Sequence, residues 1–399
     1  MENHLGFFGF ILGFFITCIL IYKKPRLASV LLVAYIFRWL FVVNHNYLIP
    51  FVEGMGDATN YEQLAWDLSK LSINERSHYR YGNGDIYSWV GAIFYSLLGR
   101  SIVFLQSIGV VAGVVCVFLV NNAVELLWGN RYSLRSAWIV ALFPPLILYS
   151  ALTMREVFIV AFMLYGIIGI IYWKTYNYKI GILKALIGFT CAGYLHSAFT
   201  TGLILTLILV VLEINNYILN KYLYNKYNKY NKLINVLILV TLLTICYDLL
   251  IHVSLPYLGS LNDLNVQHLI SQQDIRLYGN TAYPDWLLTH NALQFFLLSP
   301  IRLIYFLGSP FFWDLKKLIH IIGMLDGIIY LYITWLICCN FNFIWKNYTA
   351  RIIFILTIIL IIEFTLGTIN SGTALRHRAK FFSSLIIIIS PLIPHIRSK

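Results

Sequence analysis

Long apolar runs separated by short polar stretches set the pattern of this 399-residue chain. Leu5–Tyr22, Val103–Val120 and Ile352–Ile369 each continue for about 18 residues almost without charge, the helix length that crosses a hydrocarbon layer roughly 30 Å thick. These are helical lengths, not the alternation over about ten residues that marks an outer-membrane barrel. The chain is expected to be all-α and polytopic.

The polar breaks set its course. The first helix ends at Lys23, Lys24 and Arg26, and a second runs from Leu27 to Asn44. Basic residues stay cytoplasmic, so this hairpin puts the N-terminus and the segment after Asn44 outside. Residues 45–101 then form a first outer loop. Its core, Val52–Asp85, carries Glu53, Asp57, Glu62, Asp67, Glu75 and Asp85, six of the chain's 17 carboxylates. Tyr61–Leu68 has helical apolar spacing and reads as an amphipathic interfacial helix, and Tyr87–Leu98 as a shallow one. Spans follow over Val103–Leu127, Ser136–Ala151 and Glu156–Tyr172, and Leu183–Glu213 reads as two short helices broken near His196-Ser197. A cytoplasmic Asn/Tyr/Lys loop at 214–232 leads to a span at Leu233–Val253. A second outer loop at 254–312 includes a shallow helix at Ala292–Pro310. Leu318–Cys338, Ile352–Ile369 and Phe382–Pro394 complete about eleven spans in one transmembrane domain covering 1–399.

Composition narrows the class. With 59% apolar and 12% charged residues, against about 25% charged in soluble chains, a soluble enzyme, a disordered protein and a coiled coil are excluded. The net charge of +12 does not imply nucleic acid, because most bases sit at helix ends, where they set orientation. All six cysteines fall in apolar runs and read as small hydrophobes. Leu5–Tyr22 ends without a small-residue cleavage site and is expected to remain as an anchor.

Charged groups near membrane depth are costly, so those that persist are candidates for function. Four groups stand out, all expected on the outer side. In Gly54-Met55-Gly56-Asp57-Ala58-Thr59-Asn60-Tyr61, Asp57 can serve as a general base or merely cap the helix that follows. In Thr153-Met154-Arg155-Glu156, the Arg155 fork suits a phosphate, with Glu156 assisting; an interfacial ion pair is the plainer reading. The stretch Asn370 to Lys380 offers Arg376, His377, Arg378 and Lys380 to a lipid phosphate or pyrophosphate. Its Asn-Ser-Gly-Thr lead-in can add backbone N–H groups; on the cytoplasmic side it would be an ordinary basic anchor. The fourth group is diffuse: His196, and His268, Arg276 and His290 in the second outer loop, as substrate contacts or as hydrogen-bonded structural residues. Glu363, alone in a span, reads as structural. No nucleotide-binding loop, HExxH, CxxC or GxSxG is present, which argues against chemistry driven by ATP and against cytoplasmic nucleotide sugars.

The order of several short motifs resembles a known class. Gly56-Asp57-Ala58 with Tyr61 and Ala65, then Tyr95 with Leu98-Gly99-Arg100-Ser101, then Trp128-Gly129-Asn130-Arg131, then Ala141-Leu142-Phe143-Pro144 through Ser150 to Arg155-Glu156, resemble the front half of the GT-C membrane glycosyltransferases. The protein O-mannosyltransferase and lipid A aminoarabinose transferase branch is closest in layout. The ending, Asn370 to Lys380 before a last helix, is similar to that of bacterial surface-polysaccharide transferases and O-antigen polymerase-like proteins. The likeness covers Asp57–Tyr172 and, loosely, the C-terminal third.

The resemblance implies a GT-C-like fold and transfer of a sugar or oligosaccharide from a polyprenyl phosphate or diphosphate to an acceptor hydroxyl. That reaction would lie at the outer face of the bacterial cytoplasmic membrane, in surface-polysaccharide assembly, with repeat-unit polymerisation as one form. Asp57 takes the place of the catalytic carboxylate and Glu156 that of a second acidic residue. Tyr61, Arg155, His196, Arg276, Asn370, Arg376, His377, Arg378 and Lys380 would bind substrate. No cofactor is expected, and the absence of an Asp-x-Asp pair leaves the metal requirement open. The alternative is a transporter or flippase for a lipid-linked saccharide, which would place cations at mid-membrane in paired halves.

Overall fold

Where lipid replaces water, each backbone amide needs an internal partner, and an apolar chain answers with helices. The computed structural model describes residues 2–78, 85–222, 281–317 and 320–394, with three single positions between 223 and 280. Among these the regular elements are all helices: α1 Glu2–Lys23, α2 Ala28–Val43, α3 Asp57–Ser69, α4 Ile73–His78, α5 Asp85–Leu98, α6 Ile102–Trp128, α7 Asn130–Ala141 and α8 Pro144–Ala151. They continue as α9 Glu156–Tyr176, α10 Ile180–Leu195, α11 Thr200–Tyr222, α12 Ala292–Gly308, α13 His320–Cys339, α14 Phe341–Lys346, α15 Tyr348–Gly367 and α16 Ser371–Ile389.

Among the described residues, seven helical stretches are long and apolar enough to cross a membrane, and a bent pair makes eight if it counts as one span. The sequence pattern gave about eleven, and the differences have local causes. Ser136–Ala151 is not one rod but α7 and α8 bent by 58°, because Pro144 and Pro145 open α8 and bias the residue before them out of the helical region. The Leu183–Glu213 stretch breaks as expected, with α10 closing at the extended His196 and α11 following after a single short turn. α16 carries Arg376, His377, Arg378 and Lys380 and is buried along its length from Ala379 to Ile389, so it is a core helix with a charged first half. The predicted span Leu233–Val253 lies outside the described residues.

Contacts between helix ends give the bundle two poles. Lys24 meets Glu125 at 2.5 Å, the Tyr176 hydroxyl donates to the Leu126 carbonyl at 2.9 Å, and the Trp128 indole donates to the Ile387 carbonyl at 2.9 Å. The ends of α6, α9 and α16 therefore gather with the α1–α2 junction and its bases. At the other pole, Thr153 donates to the Ala58 carbonyl at 2.8 Å, joining α3 to the start of α9. Here α3 packs on α5: buried Glu62 accepts from Tyr95 at 2.7 Å and from Arg100 at 2.7 and 3.0 Å.

Two close approaches fix the α9–α10 hairpin. A side chain at Gly169 would run into the backbone of Gly181 and Ala185, and one at Gly188 into that of Gly166 and Phe162. Small residues let membrane helices touch backbone to backbone, and here they bring the end of α10 beside the start of α9.

Buried arginines serve helix ends. The last carbonyls of a helix have no partner within it. Arg38 donates to Ala141 at the end of α7, Arg155 to Leu195 at the end of α10, and Arg302 to Leu366 and Thr368 at the end of α15. Arg378 carries this furthest. Fully buried, it bonds Asp326 at 2.6 Å and the carbonyls of Leu307, Ser309 and Gly323 at 3.1, 2.6 and 3.0 Å, so α12, α13 and α16 meet on one guanidinium. Removing one partner strands the other's charge, and Arg378→Ala and Asp326→Ala are each expected to cost about 3–5 kcal/mol. Thermal unfolding in detergent checks this: the double variant should lose less than the sum of the two singles.

Candidate functional site

At the pole opposite the α1–α2 junction, three chain segments converge on Arg376. The second turn of α16 places it on the face looking at α9. Its Nε donates to Glu156 Oε1 at 2.6 Å, and its Nη1 pairs with Asp57. Lys380, one turn further along α16, stands 4.0 Å from Glu156 and 2.8 Å from His377 Nδ1. The His196 ring lies 5.8 Å from that of His377, and the Arg155 guanidinium sits over the Tyr61 ring at 5.5 Å.

The two carboxylates differ in setting. Glu156 opens α9 and is almost sealed, its side chain 3% exposed, whereas that of Asp57 is 51% exposed. Arg376, Lys380 and Arg155 all act on the Glu156 carboxylate. Arg376, Arg155 and the Lys380 amine thus surround the two carboxylates, and Glu156 Oε2 has no hydrogen-bond partner among the described residues. Asp57 is the first residue of α3 rather than its cap. Gly56 holds the capping position without a side-chain bond, so the Asp57 carboxylate is committed to Arg376.

An apolar cavity of about 470 Å³ adjoins the cluster, between α5, α6, α9 and α10. Its wall includes Tyr87, Phe94, Leu105, Phe158, Tyr194 and Leu195. Two of these touch the polar site: Tyr87 packs on Tyr61 with ring centroids 5.7 Å apart, and Leu195 supplies the carbonyl held by Arg155 at 2.5 Å. Burial, with the Glu156 and Glu62 carboxylates nearby, pushes the Tyr87 hydroxyl well above the usual phenol range. Burial and its bond to Glu62 do the same to Tyr95. Both tyrosines stay protonated and can only donate or accept hydrogen bonds. Tyr149, buried on α8, lies within electrostatic reach of Glu53, Arg376, Glu156 and Asp326. Neither Tyr87 nor Tyr149 was singled out by the sequence, because a tyrosine in an apolar run looks like any other.

Of the sequence candidates, Asp57, Tyr61, Arg155, Glu156, His196, Arg376, His377 and Lys380 share this site. Arg378 faces away into the helix clamp described above. Asn370 caps α16 by accepting from the Thr373 amide at 2.7 Å. The expected anion-binding turn is also corrected: the amides of Ser371, Thr373 and Ala374 are taken by Thr281, Asn370 and Asn370. Glu363 accepts from Thr201 at 2.8 Å. Arg276 and His268 lie outside the described residues, which hold no group of three or more His, Cys, Asp or Glu side chains able to bind a metal.

Comparison with family models, curated proteins and solved structures returns no match. The site is therefore read from its own chemistry. A sealed ion pair is strongly coupled and a half-exposed one weakly, so double-mutant cycles on thermal unfolding should give a larger coupling for Arg376–Glu156 than for Arg376–Asp57. About 3–5 kcal/mol is expected on removing a buried partner, against about 0.2–1 kcal/mol for an exposed pair.

Proposed function

We propose that this protein is a membrane glycosyltransferase that moves a sugar or oligosaccharide from a polyprenyl phosphate or diphosphate to an acceptor hydroxyl. The observation that carries the reading is the Asp57–Arg376–Glu156 bridge, with Lys380 and Arg155 beside it and an apolar cavity against it. A lipid-linked donor has two parts, a charged head and an apolar tail, and this pole offers a setting for each. In the step proposed, the acceptor O–H gives its proton to the Asp57 carboxylate and its oxygen bonds to the anomeric carbon. The bond from that carbon to the carrier phosphate breaks, and its electron pair leaves on the phosphate. Negative charge grows on that leaving group, where preorganised cations in a water-poor site stabilise it best. Arg376, Lys380 and Arg155 fill that role. Glu156 Oε2, an unfilled acceptor, suits a hydroxyl of the donor sugar.

The two poles support an outward-facing site. Lys23, Lys24, Arg26 and Arg131 lie at the end opposite Arg376, so the positive-inside rule turns the site to the outer face. In a bacterium that face holds lipid-linked precursors of surface polysaccharide, which makes an outer leaflet of the cytoplasmic membrane the proposed location. Gathering of the charged site at one pole favours an enzyme over a conduit for the same lipid.

A positioned general base contributes about 10²–10⁴-fold in rate. Asp57→Asn is therefore expected to abolish transfer while the protein stays folded. The surface-glycan profile of a strain lacking the gene, complemented with wild type or with Asp57→Asn, checks this. Restoration of the profile by wild type and not by Asp57→Asn supports the assignment, and full complementation by Asp57→Asn removes Asp57 from the reaction.

A further inference from the structure

Arg376 holds two carboxylates of very different mobility. Glu156 is sealed at the head of α9 and bonded to Nε, while Asp57 is half-exposed and bonded to Nη1. No hydrogen bond to Nη2 occurs among the described residues. The guanidinium fork that would take a phosphate bidentately is therefore half-occupied by the residue assigned as base. Asp57 cannot do both things at once. Its carboxylate oxygen is engaged by Arg376 Nη1 and must leave it before it can meet an acceptor hydroxyl.

We propose that Asp57 is the resting occupant of the phosphate subsite and is exchanged for the donor: the incoming phosphate displaces it from Arg376, and the displacement frees it as base. This rests on the functional reading above and adds an order to it, donor before proton transfer. The backbone is built for a side-chain exchange. Ala58, the next residue, has its carbonyl held by buried Thr153 at 2.8 Å, and Thr59 donates to the Gly54 carbonyl at 2.8 Å. The start of α3 is thus fixed, and the Asp57 carboxylate can leave by turning about its own two torsions. Glu156 stays in place and keeps Arg376 aimed. As Asp57 withdraws, one negative charge leaves Arg376, making room for a phosphate that enters with one or two.

The experiment measures binding of farnesyl phosphate, a short polyprenyl monophosphate, to the full-length protein in lipid nanodiscs. Wild type is run beside Asp57→Asn, Asp57→Ala and Asp57→Glu, with thermal unfolding to confirm that each is folded. Removing a half-exposed competing charge should tighten binding by roughly fivefold, the weight of an exposed ion pair, in both neutral variants. Asp57→Glu, which keeps the charge, should bind as wild type does. Tighter binding together with lost transfer in Asp57→Asn is the signature of exchange. Equal or weaker binding by the neutral variants overturns the exchange and leaves the phosphate site standing. No binding of the probe by wild type overturns the phosphate site itself and the exchange with it.

Discussion

A guanidinium held between two carboxylates is the interaction on which the site depends. Arg376 is mostly shielded from water, and an ion in such a place survives only with its charge answered and its donors used. Glu156 and Asp57 answer it from segments 220 and 319 residues away along the chain. Each of the three segments must therefore arrive in register. The glycine contacts between α9 and α10, the Thr153 bond to Ala58 and the Arg378 clamp on α12 and α13 are the local means by which they do.

The bundle uses arginine in two ways, and the difference separates structure from function. Arg38, Arg155, Arg302 and Arg378 give donors to carbonyls at helix ends, where the backbone has lost its own partners. Such contacts use up the cation's directionality on fixed neighbours. Arg376 spends its bonds on carboxylates alone, one sealed and one open to exchange. Arg155 stands between the two classes: it secures the end of α10 and lends charge to Glu156. The apolar cavity walled by Tyr87 and Leu195 lies beside it.

Much of this was legible in the sequence, and the misses have a physical cause. The all-helical fold, a helix over Tyr61–Leu68 and the break at His196 were all readable from hydropathy. The stretch from Asn370 to Lys380, however, looked like one basic cluster. On a helix, residues 376 and 380 share a face, as do 377 and 380, whereas 378 points to the far side. Arg378 accordingly anchors the core while its neighbours line the site. Asn370 and its glycine turn looked like an anion cradle because the amides of Ser371, Thr373 and Ala374 could not be seen to be taken. The span count over the described residues differs for a related reason. Hydropathy does not show that Pro144 bends a run into two helices, or that a helix with four charged or ionisable residues in its first half can lie in the middle of the bundle.

The central claim is that Arg376 is the seat of the carrier phosphate. An electron cryomicroscopy structure of the protein in nanodiscs with a bound polyprenyl phosphate tests it most directly. The account predicts phosphate oxygens within hydrogen-bond reach of Arg376, Glu156 still paired to its Nε, and the isoprenoid chain in the cavity walled by Tyr87 and Leu195. A phosphate seated at the opposite pole, with the Asp57–Arg376–Glu156 bridge intact, would contradict it.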